Sequence, residues 1–126
     1  SSDLIMFDID RFKNINDTFG HDVGDEVLIA IARAVEQNIR STDVLARWGG
    51  EEFMIMLPNT DEAGAHIMAE NLRKLIASLK FEKFDFVTAS FGVAQYEDDG
   101  TKEFLKRVDN ALYEAKRGGR NMVSIG

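Results

Sequence analysis

Two carboxylates, Glu51 and Glu52, directly follow a glycine pair in Arg47-Trp48-Gly49-Gly50-Glu51-Glu52-Phe53, and strand-like apolar segments flank them at Val44 to Trp48 and Phe53 to Leu57. Gly-Gly between such segments predicts a two-residue hairpin turn, because both positions tolerate a positive φ. Glycine also leaves no side chain in the way, so a phosphate can lie against the turn backbone. Glu51 and Glu52 then project near that phosphate, where they repel it and each other. A divalent cation resolves the conflict. The plainer alternative is a surface hairpin whose tip carries solvated charge.

A second pair of carboxylates sits in Leu4 to Ile9, an apolar run of strand character that carries Asp8 near its end and is followed by Asp10 and Arg11-Phe12-Lys13. A carboxylate in an otherwise buried strand is costly unless it is paired or binds a metal. Asp8 and Asp10 are expected on opposite faces of the strand, with separate tasks. Asp8 is assigned to a cation and Asp10 to capping the helix that follows. Asp8 paired with a lysine or arginine is the alternative.

The elements that must position these groups follow from periodicity. The order reads strand, short helix, longer helix, hairpin, helix, strand, helix, strand. Val27, Leu28, Ile31, Val35 and Ile39 recur at helical spacing, as do Ala65, Met68, Ala69, Leu72, Leu75, Ile76 and Leu79, and then Phe104, Leu105, Val108, Ala111, Leu112 and Ala115. Phe86 to Tyr96 is strand-like, and Met122 to Ile125 closes the chain as a short strand. A hairpin with separated strands and helices suggests an α+β fold with a mainly antiparallel sheet flanked by helices. At 126 residues and 44% hydrophobic, the chain is expected to be one domain over 1–126 with a real core. No apolar stretch is long enough to span a membrane, so no membrane contact is expected of it. The absence of cysteine rules out disulfides and suits a cytoplasmic location. A net charge of −7 argues against a nucleic-acid surface, whereas a nucleotide site tolerates it.

Phe7-Asp8-Ile9-Asp10-Arg11-Phe12-Lys13, Ile15-Asn16-Asp17-Thr18-Phe19-Gly20-His21, Gly24-Asp25-Glu26-Val27-Leu28, the Gly49-Gly50-Glu51-Glu52-Phe53 hairpin, and Ala111-Leu112-Tyr113-Glu114-Ala115-Lys116 with Gly119-Arg120-Asn121 together run along nearly the whole chain. This pattern resembles the GGDEF-domain diguanylate cyclases, in the GGEEF variant. The resemblance implies a palm-like fold related to nucleotide cyclases. It also implies condensation of two GTP into cyclic di-GMP with loss of two pyrophosphates, in a homodimer. A catalytically weak domain that binds GTP or cyclic di-GMP as a sensor is the second expectation, and a plain dimerisation module the third. Family members carry a helix and a further conserved segment before the first strand, so the chain is expected to lack that part.

By the same resemblance the metal is Mg²⁺, with Mn²⁺ possible, held by Asp8, the Ile9 carbonyl and Glu51. Glu51, Glu52 and Lys13 are the catalytic residues, with Glu51 near the attacking hydroxyl and Lys13 neutralising phosphate. Phe12, Gly49 and Gly50 belong to the substrate site, and Lys116 and Arg120 become γ-phosphate ligands. Those two are spaced i, i+4 and point one way if their helix continues; otherwise they complement a helix dipole that Gly118-Gly119 brings to an end. Asn16 and Asp25 select guanine, since a carboxylate accepts from N1–H and the 2-amino group and adenine offers neither. Read alone, Asn16-Asp17 is a turn or capping pair, Gly24-Asp25 is the start of the long helix, and His21 and His66 are structural. Arg40-Ser41-Thr42-Asp43 matches the family's RxxD product-inhibition site, with Arg40, Asp43 and Arg73 assigned to it. Asn71 stands where a second arginine is usual. The alternative for Arg40 and Asp43 is a solvated or mutually paired connection.

Overall fold

The structure is a computed structural model describing residues 2–126, so of the expected domain only Ser1 lies outside the described residues. β1 (Ser2–Ile9) is the central strand. It is followed by α1 (Phe12–Phe19), α2 (His21–Glu36), β2 (Val44–Gly49), β3 (Glu52–Pro58), α3 (Glu62–Ser78), β4 (Ala89–Gln95), α4 (Thr101–Arg117) and β5 (Val123–Ile125). The five strands form one sheet in the order β2-β3-β1-β4-β5, antiparallel except for the β4/β5 pair. The expected α+β fold with a mainly antiparallel sheet is what the chain adopts.

Alternation along β1 divides the core. Ile5, Phe7 and Ile9 face the helices α1, α2 and α3, where they join Val27, Ile31, Val35, Ala65, Leu72 and Ile76 in the larger cluster. Phe7 stacks between its cross-strand neighbours Phe53 and Phe91, with ring centroids 5.0 and 4.9 Å away. Leu4 and Met6 face the other way, toward Val108 and Leu112 of α4. α4 lies close on the sheet because Gly92 of β4 has no side chain: a Cβ there would stand 2.6 Å from the Val108 carbonyl oxygen and 2.9 Å from Leu112 Cα.

Two boundaries differ from those expected. The strand predicted over Phe86 to Tyr96 begins only at Ala89; before it Phe81 and Phe84 stack on each other, and Phe84 packs at a tilt on Phe19, outside the sheet. The hairpin turn is formed by Gly50 and Glu51, with Gly49 paired to Glu52 across β2 and β3. Gly50 alone has positive φ, at 44°, while Gly49 ends β2 beside a register shift. No helix among the described residues is long and apolar enough to cross a membrane.

Candidate active site

The sheet brings the end of β1 beside the hairpin. Asp8 is paired with Glu52 on one side and Ser90 on the other, and the Ile9 N–H donates to the Glu51 carbonyl at 3.3 Å. The Asp8 side chain is only 8% exposed and accepts from Lys116 Nζ of α4 at 2.5 Å. Burial pushes its carboxyl up to about 6. The Lys116 hydrogen bond and charge act against that rise, and the nearby charges of Glu51 and Glu52 add to it. The charges of Glu51 and Glu52 thus act on Asp8 at one end of the sheet, which favours a cation there. Space for a bulky anion exists above the turn, since a Cβ at Gly49 or Gly50 would meet nothing within 4 Å.

Among the described residues no three acidic or histidine side chains close on a point as a metal cage. Asp8, Glu51 and the Ile9 carbonyl fit Mg²⁺ nonetheless, because that ion usually takes one or two carboxylates and completes its shell with water and substrate phosphates.

Asp10 departs from the role expected of it. Two residues apart in extended chain, Asp8 and Asp10 share a face, as alternation requires, and not opposite ones. Asp10 does not cap α1, whose N-cap position is Arg11 in the left-handed region with no side-chain cap. Instead its buried carboxylate accepts from Thr88 Oγ1 at 2.7 Å, Ser90 Oγ at 2.6 Å and the Asn121 N–H at 2.9 Å. Among the described residues the first turn of α1 consequently has no side-chain cap, which suits an anion. Phe12 leaves only its backbone at that helix start, since its ring is in the core. Lys13 is exposed and bonded to Asp17 at 2.9 Å.

Lys116 and Arg120 do not share a helix face. α4 ends at Arg117, and Arg120 sits in the following turn with φ 65° and its N–H on the Ala115 carbonyl. At the other side of α1, Asn16 reaches Gly24 of α2, one residue before the exposed Asp25.

The match to known proteins decides what this arrangement is. Residues 1–122 fit the family described as diguanylate cyclase, GGDEF domain. The chain is a GGDEF domain. It is 47% identical over 121 residues to diguanylate cyclase DgcM of Escherichia coli, covering 95% of this chain and 30% of that protein, so it spans under a third of the relative's length. Its fold superposes with TM-score 0.93 on the active GGEEF domain of a Vibrio cholerae diguanylate cyclase, at 41% identity, with 98% of this chain and 81% of that one covered. The GGDEF domain of DgcB from Caulobacter crescentus in complex with c-di-GMP is similar too, with TM-score 0.90, 34% identity, and 98% and 77% covered.

In this GGDEF domain Arg40 and Asp43 hold each other. The guanidinium donates to both Asp43 oxygens, at 2.9 and 3.1 Å, and also reaches the Pro58 carbonyl and the Thr60 hydroxyl. Asp43 is buried under it. Arg73 is not brought to them: it grips Glu70 at 3.1 Å and Asn121 Oδ1 at 3.0 Å, tying α3 to the turn after α4. Sequence reasoning missed Arg47, whose Nε donates to the Gly50 carbonyl at 2.8 Å and clips the turn. It also missed Asn121, which joins Asp10 to Arg73. An arginine three residues before a turn glycine was a usable signal; the Asn121 contacts had none.

Proposed function

We propose that the domain is the catalytic part of a diguanylate cyclase, joining two GTP into cyclic di-GMP with release of two pyrophosphates. The observation that carries this reading is that the sheet sets Asp8, held by Lys116, beside the hairpin that bears Glu51 and Glu52, whose charges act on it. Each phosphodiester requires a ribose 3′-hydroxyl to attack an α-phosphorus in line with departing pyrophosphate. Asp8, the Ile9 carbonyl and Glu51 would hold Mg²⁺, or Mn²⁺ in its place, which when bound polarises phosphate oxygens and favours the hydroxyl's loss of its proton. Glu51 lies at the turn and orients the attacking hydroxyl, with Glu52 supporting it. Lys116, Lys13 and Arg120 neutralise the triphosphate, and the uncapped start of α1 adds backbone donors. Asn16 and Asp25 read the guanine edge.

Glu51→Gln is expected to abolish cyclic di-GMP formation from GTP and Mg²⁺ while circular dichroism shows an intact fold. Turnover near that of the wild type would sink the mechanism. A second reading, a sensor that binds GTP or cyclic di-GMP without turnover, is favoured by Lys116 Nζ resting on Asp8, where it competes with a cation. GTP binding without product in the wild-type protein would select it.

Product inhibition at Arg40 belongs to the same proposal. Arg40→Ala should leave initial turnover in place and raise the cyclic di-GMP concentration needed for inhibition. Inhibition curves that superimpose on those of the wild type would reduce Arg40 and Asp43 to a paired connection.

A further inference from the structure

Gly24 stands in the first turns of α2, a place where alanine would favour the helix by about 1 kcal/mol. It is buried, and its φ is ordinary, so no turn geometry calls for glycine. What the missing side chain leaves open is a slot for Asn16. A Cβ built on Gly24 would overlap Asn16 Oδ1, would stand 3.0 Å from Asn16 Cγ and would press on the Phe12 ring at 3.3 Å. Phe12 is fixed in the core, so the Asn16 amide is the group that would have to leave. Asn16 Oδ1 is also one of the few buried side-chain atoms among the described residues without a hydrogen-bond partner. An amide oxygen held out of water with nothing to accept from is costly in the free protein. Such an amide is set by packing and not by its own bonds.

We propose that Gly24 is a positioning residue for base recognition: its absent Cβ is the seat that fixes the Asn16 carboxamide against the turn of α2 that presents Asp25. This rests on the reading of Asn16 and Asp25 as the guanine-binding pair. Gly24 directly precedes Asp25, so the seat sets the two groups in one frame. A base edge then meets an amide and a carboxylate whose separation is determined by the packing of α1 on α2.

The test is a double-mutant cycle on nucleotide binding. The probe is the α,β-methylene analogue of GTP, which cannot lose pyrophosphate, with the matching adenosine analogue as control, both with Mg²⁺. Asn16→Ala and Gly24→Ala are each expected to weaken the guanosine analogue about tenfold, the scale of one lost hydrogen bond. Binding of the adenosine analogue should not change. In the double variant Gly24→Ala should cost nothing further, because the displaced amide is already gone. Unchanged affinity in Gly24→Ala, equal weakening of both analogues, or losses that multiply in the double variant would each overturn the proposal. Should Asn16→Ala bind the guanosine analogue as the wild type does, the base assignment itself fails and takes the proposal with it; a loss in Asn16→Ala with none in Gly24→Ala refutes the seat alone. If Gly24→Ala lowers the melting temperature, the double variant decides again. Recovery there points to the clash with Asn16, and no recovery points to Phe12 and against the proposal.

Discussion

Asp3 is a second carboxylate buried in β1, and unlike Asp8 it has no hydrogen-bond partner among the described residues: both its oxygens are shielded from water. Burial raises its carboxyl from 3.8 to about 6, and the charges of Glu62 and Asp61 at the start of α3 push the same way. A group whose pKa is higher in the folded than in the unfolded state supports the fold while protonated. Its contribution is therefore full below the unfolded value, is lost as pH rises toward about 6, and stays lost above. Asp3→Asn should accordingly melt higher than the wild type at about pH 7.5, with the two curves converging near pH 4. A constant gap between them across that range would contradict the assignment. Asp8 was legible in the sequence because a carboxylate interrupts an apolar run. Asp3 stands just before that run, where no interruption of an apolar pattern marks it as buried. The partners of Asp10 were invisible for another reason: Thr88, Ser90 and Asn121 are distant in sequence, and no local pattern announces a hydrogen bond of that range.

Helices and strands were legible wherever a face had to be buried. The stripes at Val27 to Val35, Ala65 to Ile76 and Val108 to Ala115 are the faces of α2, α3 and α4 that the core takes up. Ends were less legible. Phe86 carries strand-like character yet stays outside β4, and Arg120 leaves α4 although its spacing from Lys116 fits a helix. Both depend on how residues remote in sequence pack, which periodicity does not encode. Gly92 shows the reverse, a strand glycine whose purpose only the packing reveals. A methyl group there meets the backbone of α4 at Val108 and Leu112, which cannot rotate aside as a side chain can. Gly92→Ala should destabilise the fold by about 1–3 kcal/mol or more, as overpacking does, measured as a lower urea midpoint. An unchanged midpoint would mean that α4 tolerates lifting off the sheet.

The proposed function assigns the molecule one set of metal, phosphate and base residues, while its product contains two nucleotides. On that proposal two chains would face each other, each presenting one GTP. Initial rate should rise with the square of protein concentration at high dilution; a strictly linear dependence down to the lowest concentrations would argue for a stable preformed dimer or a different reaction. The site is also assembled across the chain's full length. Asp8 is held by Lys116, and Asp10 by Ser90 and Asn121, at sequence separations of 108, 80 and 111. Because synthesis runs from the N-terminus, β1 is made long before α4, and Asp8 stays without its Lys116 partner until the end of that helix has been made. A nascent chain halted before Asn121 emerges has the hairpin and most of the core, but not the cross-link that sets Asp10. The proposed activity is thereby acquired only once the turn after α4 has been made, and a domain cut short of that turn is denied it.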